Sequence, residues 1–230
     1  MAAKDAVAII LDIGPSMSSA PPGHETSLEL SIKAINMIIQ RKMFANAKDE
    51  FSLILFGTEE TSNRLNEECG GYENISVVKD LAPPDLEMLR FIHDGITPGL
   101  FTDKNNNTAM HSSKPVIDAV VVAMDLLREK TRGKKCDKKI YLFTDLGSPF
   151  GNDQLDKIVD GLMELDAQFV LVGPRLVRYG STYPWTYSGT RPSGSTYPWI
   201  YLGKRPGMVV HTHGLTQGQD QVGVHTHGFT

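Results

Sequence analysis

Ala6-Val-Ala-Ile-Ile-Leu-Asp12 is a short apolar run that ends in an acid, and Lys139-Ile-Tyr-Leu-Phe-Thr-Asp145 repeats this pattern later in the chain. Runs of this length are typical of strands buried inside a parallel sheet. Residues 51–57 and 168–173 predict two more such strands, and residues 74–79 predict a short edge strand. A mostly parallel sheet therefore organises the fold.

Segments with helical periodicity separate these strands. Apolar residues recur at spacings of three and four in residues 28–39, 84–96, 115–127 and 154–165. Pro84 and Pro115 stand where the first turn of a helix accepts proline. Strands that alternate with helices predict a doubly wound α/β fold with helices on both faces of the sheet. Ligands of such folds bind at the carboxyl ends of the strands, where Asp12 and Asp145 both lie.

Composition excludes several classes of protein. Hydrophobic residues make up 40% of the 230 residues, which permits a core, and two cysteines are too few for a disulfide-dense secreted scaffold. A net charge of −4 argues against strong nucleic-acid binding by this chain alone. The N-terminal residues lack the pattern of an export signal, and no apolar run is long enough to span a membrane, so no membrane contact is expected. No Gly-x-x-x-x-Gly-Lys-Ser/Thr loop is present, so neither catalysis with a nucleotide nor any cofactor is expected.

The loop after the first strand carries oxygen ligands that suit a hard divalent cation. Asp12-Ile-Gly-Pro-Ser16-Met-Ser18 and Asp145 resemble the metal-dependent site of von Willebrand factor A domains, which has an Asp-x-Ser-x-Ser loop and a later Asp. Gly14 replaces the first serine ligand, and no Gly-Thr-x-Thr loop precedes Pro115. We therefore predict a vestigial site without metal, in which Asp12 caps turn amides. The alternative is an adhesion-type domain in which Asp12, Ser16, Ser18 and Asp145 hold Mg²⁺.

Six further segments carry recognisable motifs: Phe44-Ala-Asn-Ala-Lys-Asp-Glu50, Leu55-Phe-Gly-Thr58, Gly71-Tyr-Glu-Asn-Ile75, Asp118-Ala-Val-Val-Val-Ala-Met-Asp125, Gly133-Lys-Lys135 and Phe143-Thr-Asp-Leu146. Together they resemble one branch of that family, the N-terminal domain of the larger subunit of the Ku heterodimer, and the resemblance extends from about Ala6 to Gly173. It implies a nuclear role in repairing double-strand breaks by non-homologous end joining and in maintaining telomeres.

The resemblance also implies partners and a site. A Ku-type domain of this kind docks short Ku-binding peptides of end-joining factors, belongs to a complex with a smaller Ku subunit, and reaches DNA only indirectly, because a central β-barrel outside it encircles the DNA. A helicase or ATPase label is associated with the family, but we expect no enzyme here. The peptide pocket would comprise Leu65, Tyr72, Val121 and Met124. In the helix predicted over residues 115–127, Val121 and Met124 form an apolar stripe beside the main one, which comprises Val116, Val120, Ala123 and Leu127. Without the resemblance, this second stripe fits either core or an exposed groove.

Residues 175–230 differ from the rest. Residues 180–193 and 194–207 are two copies of a 14-residue unit, identical at ten positions, and His-Thr-His-Gly recurs at the same spacing from His211 and His225. Residues 182–202 can be written with codons that the genetic code permits for them. When this DNA sequence is translated in the frame that starts one base later, it encodes all of residues 211–230. One DNA repeat of 42 bases (14 codons) therefore accounts for both segments. We predict a mostly disordered, repeat-derived tail after a Ku-type domain in residues 1–174.

The transition to this tail predicts a structural consequence. Ku-type domains continue after the strand at residues 168–173 with another helix and strand, whereas this chain departs from the pattern at about Pro174. We therefore expect an uncovered sheet edge and a marginally stable domain.

Overall fold

The computed structural model describes residues 4–20, 22–45, 48–96, 115–147, 155–173, 197–202 and 210–215. Five strands form one sheet in the order β3-β2-β1-β4-β5, and their bounds are β1 Asp5–Asp12, β2 Glu50–Phe56, β3 Ile75–Ala82, β4 Asp137–Phe143 and β5 Ala167–Val172. The β1–β2, β1–β4 and β4–β5 pairs are parallel, and β3 is antiparallel to β2. The predicted mostly parallel sheet is confirmed.

The central strand is buried on both of its faces. Every residue of β1 is buried, and Ile9 lies opposite Leu53 of β2 and Tyr141 of β4. Successive side chains of a strand point to opposite faces. Even-numbered residues of β1 accordingly join one apolar cluster and odd-numbered residues join the other.

The helices cover these two faces separately. The odd-numbered face packs against α1 (Ser27–Phe44) and α3 (Leu86–Arg90), and the even-numbered face packs against α4 (Pro115–Lys130) and α5 (Leu155–Leu165). α1 begins at a capping box, in which Thr26 and Glu29 satisfy each other's backbone amides. In the described part of the chain, no helix is both long and apolar enough to cross a membrane.

Two local features differ from the predicted elements. A short helix, α2 (Arg64–Cys69), lies where no helix was predicted. The helix predicted over residues 84–96 consists of α3 followed by a π-helical turn, Phe91–Gly95. A Cβ added at Gly95 would lie 2.9 Å from the Phe91 ring, so this ring would have to shift to admit a side chain.

Ion pairs close the end of the sheet where the parallel strands begin. Lys42 at the end of α1 donates to Asp49 at 2.6 Å and to Asp5 at 3.2 Å, and Lys139 of β4 also donates to Asp5 at 2.7 Å. Asp49 accepts the backbone N–H of Asp5 as well. Burial raises the pKa of Asp49, but its bonds to Lys42 and the Asp5 amide outweigh burial, so this pKa lies below its usual value.

We expect Lys42→Met to lower the free energy of unfolding by about 2 kcal/mol at pH 7, because it leaves two poorly exposed carboxylates to share Lys139. The value is below that of a fully buried pair, since the Lys42 side chain is 38% exposed. The control is Lys33→Met, which removes an exposed pair with Glu25 and should cost about 0.5 kcal/mol or less. Urea unfolding measures both, and equal losses would contradict the prediction.

The low pKa of Asp49 also fixes how this effect depends on pH. A carboxyl whose pKa is lowered by folding stabilises the protein above its unfolded pKa, and this stabilisation disappears as the pH falls through the folded value. The deficit of Lys42→Met should therefore shrink on acidification below about pH 4.

Two strands lie in the repeat-derived tail. β6 (Tyr197–Leu202) and β7 (Val210–Leu215) pair antiparallel, with Tyr197 opposite Leu215. Most other residues of the predicted disordered segment lie outside the described residues, so that expectation stays a prediction. Among the described strands, β5 forms a ladder with β4 only.

Candidate functional site

The carboxylate of Asp12 is fully buried at the carboxyl end of β1. Its Oδ1 accepts the backbone N–H of Gly14 at 2.8 Å, and its Oδ2 accepts the hydroxyl of Thr144 at 2.6 Å. Burial raises the pKa of Asp12 to about 6, although both hydrogen bonds oppose the shift. Asp12 thus caps a turn amide, and both of its oxygens already have protein donors.

Asp145 lies two residues beyond the end of β4. Its Oδ1 accepts the hydroxyl of Ser16 at 2.9 Å and the backbone N–H of Gly147 at 2.8 Å. Ser16 and the half-buried Ser18 belong to a 3-10 turn, Pro15–Ser18, so the fold brings the residues of the proposed vestigial site to one edge of the sheet. No cluster of three or more His, Cys, Asp or Glu side chains able to hold a metal occurs among the described residues. Absence of metal binding remains a prediction.

The loop after β1 also packs against the end of β2. Ile13 donates its backbone N–H to Phe56 at 3.0 Å, and Gly57 has a φ of 80°. A Cβ added to Gly57 would lie 3.0 Å from the Gly14 nitrogen. Close backbone contact between these two glycines therefore helps to hold the Asp12 loop in place.

Asn63 positions the two predicted docking residues that precede β3. Its side chain caps α2 by accepting the N–H of Asn66, and its Nδ2 donates to the carbonyls of Tyr72 and Ile75, both at 2.9 Å. Leu65 in α2 and Tyr72 in the loop after it are half-buried against the even-numbered face of the sheet. One buried side chain thus fixes the segment that carries both residues.

The other two predicted docking residues lie on α4. Met124 faces α5, because a Cβ added at Gly161 of α5 would lie 3.3 Å from the Sδ atom of Met124. Val121 is half-buried and lies one helical turn from both Asp118 and Asp125. Burial and the negative charges of Asp118 and Asp125, among others, raise the pKa of Tyr72. Tyr72 therefore lies close enough to α4 to feel the charges of Asp118 and Asp125, which flank Val121 in sequence.

A cavity of about 340 Å³ adjoins this surface between α2, α4 and β3. Its lining is apolar at Leu65, Val77, Val78, Val122 and Leu126 and charged at Arg64, Asp80, Asp125, Glu129 and Lys130. Of the four residues predicted by resemblance, Leu65 lines this cavity, and Val121, Met124 and Tyr72 do not. The spacing of Val122 and Leu126, four residues apart, is the sequence signal that could have identified its floor.

Charged side chains form the rim of this cavity. Arg64 lies across α4 and contacts both carboxylate oxygens of Asp125, at 2.5 and 2.6 Å, with Glu68 and Glu129 nearby. Lys130 pairs with Asp80 of β3 at 2.6 Å. Three carboxylates and two cations line the cavity, so its rim carries a small excess of negative charge.

Comparisons with known proteins agree with this architecture. The model of the Ku70/Ku80 N-terminal alpha/beta domain matches residues 6–205. The X-ray repair cross-complementing protein 5 of Xenopus laevis is 39% identical over 173 residues, 74% of this chain and 22% of that protein, and its namesake in Dictyostelium discoideum is 33% identical over 174 residues, 74% and 20%. The ATP-dependent DNA helicase 2 subunit KU80 of Oryza sativa subsp. japonica is 31% identical over 167 residues, 68% and 21%.

These matches cover most of this chain but a small part of each relative, so the chain spans about a fifth of the length of the curated relatives it matches. The family match includes every strand of the five-stranded sheet and both helical layers. The chain therefore belongs to the family of Ku70/Ku80 N-terminal alpha/beta domains.

Proposed function

We propose that this chain is a non-catalytic protein-docking domain of a Ku-type factor that acts in the nucleus in double-strand-break repair by end joining and in telomere maintenance. It binds short peptides of end-joining factors at the surface around α4 and associates with a smaller Ku subunit. DNA is reached only through the complex, since the DNA-encircling barrel of the family is not part of this domain. The similarity to named repair proteins and Ku subunits supports the proposal.

The observation that carries the proposal is a surface of half-buried apolar side chains beside an open cavity. Leu65, Tyr72, Val121 and Met124 are neither fully buried nor fully exposed, and the cavity has an apolar floor of Val122 and Leu126. Apolar surface of this kind, bordered by charge, is typical of peptide-binding grooves.

The charges around the surface indicate which peptides fit. Asp80, Asp125 and Glu129 at the cavity outnumber Arg64 and Lys130, and Asp118 and Glu68 lie close by. An apolar anchor residue flanked by lysine or arginine therefore complements the surface in both shape and charge.

Some relatives have the word helicase in their names, but we propose no catalysis for this domain. The sequence contains no phosphate-binding loop of the Gly-x-x-x-x-Gly-Lys-Ser/Thr type. Asp125 and Glu129 on α4 each pair with Arg64 at the surface, which is an ion-pair arrangement rather than one suited to acid–base chemistry.

We expect Leu65→Glu and Val121→Glu each to weaken binding of a short lysine-flanked apolar peptide by about 30-fold or more, because each places a charge on the apolar surface. Isothermal titration calorimetry with the full chain measures the loss. Met37→Glu is the matched control, since Met37 is 52% exposed on α1 in the opposite layer. Equal affinity in all three variants would contradict the proposal, as would tight binding of a peptide whose lysines are replaced by glutamate.

The rival function, an Mg²⁺-dependent adhesion domain, makes a different prediction. We expect no saturable heat when Mg²⁺ is titrated into the protein, because Gly14 and Thr144 already donate to both oxygens of Asp12. Saturable binding that Asp12→Ala abolishes would support the adhesion-type function and overturn the docking proposal.

A further inference from the structure

β5 is an edge strand of the sheet: among the described strands it forms a ladder on one side only. Most of its side chains are apolar. Its pairing partner is β4, and Val170 and Leu171 are buried. On α5, which leads into β5, Val159 and Met163 are 41% and 62% exposed. An unprotected apolar edge promotes pairing with other chains, so soluble proteins usually cover it.

A segment of the same chain lies beside this edge. Cα atoms of β6 come within 8 Å of Cα atoms of β5, although the two strands do not form a named ladder. Residues 173–196, 24 in number, connect them. A crossover between parallel strands needs a dozen residues or more, so this connection allows β6 to align with β5 in either direction.

Two sequence observations distinguish β6 from the rest of the repeat-derived tail. The family match extends to residue 205 and therefore includes β6, although β6 belongs to the repeat-derived tail. In addition, the two repeat copies differ within this segment: residues 183–188 read Tyr-Pro-Trp-Thr-Tyr-Ser, and residues 197–202 read Tyr-Pro-Trp-Ile-Tyr-Leu. Ile200 and Leu202 give the second copy the stronger strand propensity and the more apolar composition.

We propose that β6 docks on the free edge of β5 as a sixth strand, so that repeat-derived sequence takes the position of the strand that follows in other Ku-type domains. Pro198 lacks an N–H and removes a single ladder donor near the start of β6, and β7, which pairs with β6, would become the outer strand. The proposal concerns the sheet edge opposite β3, at the other side of the domain from the cavity, and is independent of peptide docking.

Tryptophan fluorescence tests the proposal, because Trp185 and Trp199 are the only tryptophans in the sequence and residues 1–174 contain none. In the full chain carrying Trp185→Phe, emission reports on β6 alone. We expect a blue-shifted spectrum and a urea transition of Trp199 emission that coincides with the loss of far-UV circular dichroism. Ile200→Thr with Leu202→Ser converts residues 197–202 to the sequence of residues 183–188, and should give the spectrum of solvent-exposed tryptophan.

Hydrogen exchange supplies a second readout on β5 itself. The double variant should accelerate amide exchange in β5 by about tenfold or more and leave β1 unchanged, since only the edge strand loses a partner. Trp199 emission like that of a free peptide would overturn the proposal. A fluorescence transition separate from that of the domain, or unchanged exchange in β5, would overturn it too, because a tail hairpin that folds without β5 produces both results.

Discussion

Between pH 4 and pH 7, ionisation of Asp12 should lower the unfolding free energy of the wild-type domain. The Asp12→Asn variant, which cannot ionise at this position, should lack this decrease. Burial raises the pKa of Asp12 from 3.8 to about 6. The folded state therefore holds this proton more tightly than the unfolded state does. Between the unfolded pKa of 3.8 and the folded pKa of about 6, the unfolded state binds fewer protons than the folded state. The contribution of Asp12 to stability therefore falls as the pH rises through this range and is lowest above about pH 6.

The size of this effect follows from the shift. About two pKa units correspond to about 3 kcal/mol, at roughly 1.36 kcal/mol for each unit. The difference in unfolding free energy between Asp12→Asn and the wild type should change by most of that amount in favour of the variant from pH 4 to pH 7. Other titrating groups contribute equally to both proteins and cancel in the difference.

Urea unfolding at several pH values measures this difference, and Asp85→Asn supplies a control of opposite sign. The bond from the Met88 amide, more than any other interaction, lowers the pKa of Asp85. Asp85 therefore stabilises the protein above its unfolded pKa and loses this effect on acidification. Parallel pH profiles for the wild type and Asp12→Asn would show that folding does not raise the pKa of Asp12.

Gly57→Ala should destabilise the domain by about 3 kcal/mol. A positive φ costs a residue with a Cβ about 1–2 kcal/mol, and the 3.0 Å approach of that Cβ to the Gly14 nitrogen adds about 1–3 kcal/mol of overpacking. The contact is with backbone of the Asp12 loop, which cannot rotate away as a flexible side chain would.

Gly133→Ala separates these two contributions. Gly133 has a φ of 76°, but no atom lies within 4 Å of an added Cβ, so its substitution should show the conformational cost alone. Urea unfolding of both variants compares them directly. If Gly57→Ala cost no more than Gly133→Ala, close packing of the two glycine loops would have no energetic role.

The sheet was predictable because strands that are buried on both faces appear in the sequence as continuous apolar runs. β1 and β4 are nearly continuous apolar runs, and each predicted strand lies within one to three residues of its observed bounds. α2 was missed because six residues are too few for helical periodicity, although Asn63 is a recognisable cap. The π-helical turn was missed because the apolar spacing of three and four over residues 84–96 also fits an ordinary α-helix.

The candidate sites were predictable to different degrees. The loop motif located Asp12 and Asp145 at one edge of the sheet, but the donor that occupies the second oxygen of Asp12 is Thr144, which follows a different strand. The docking residues came from resemblance alone. Local sequence patterns could not reveal the cavity on the β3 side of α4, because its lining combines residues of α2, β3 and α4 that are far apart in sequence.

The most direct test of the docking function is a map of backbone amide chemical shifts in the full chain during titration with the lysine-flanked apolar peptide. The surface described above predicts that the largest shifts occur in α2, in the loop that contains Tyr72, and in the second half of α4. Shifts confined to the Asp12 loop or to β5, or no saturable shifts at all, would contradict a peptide-docking role for the surface around α4.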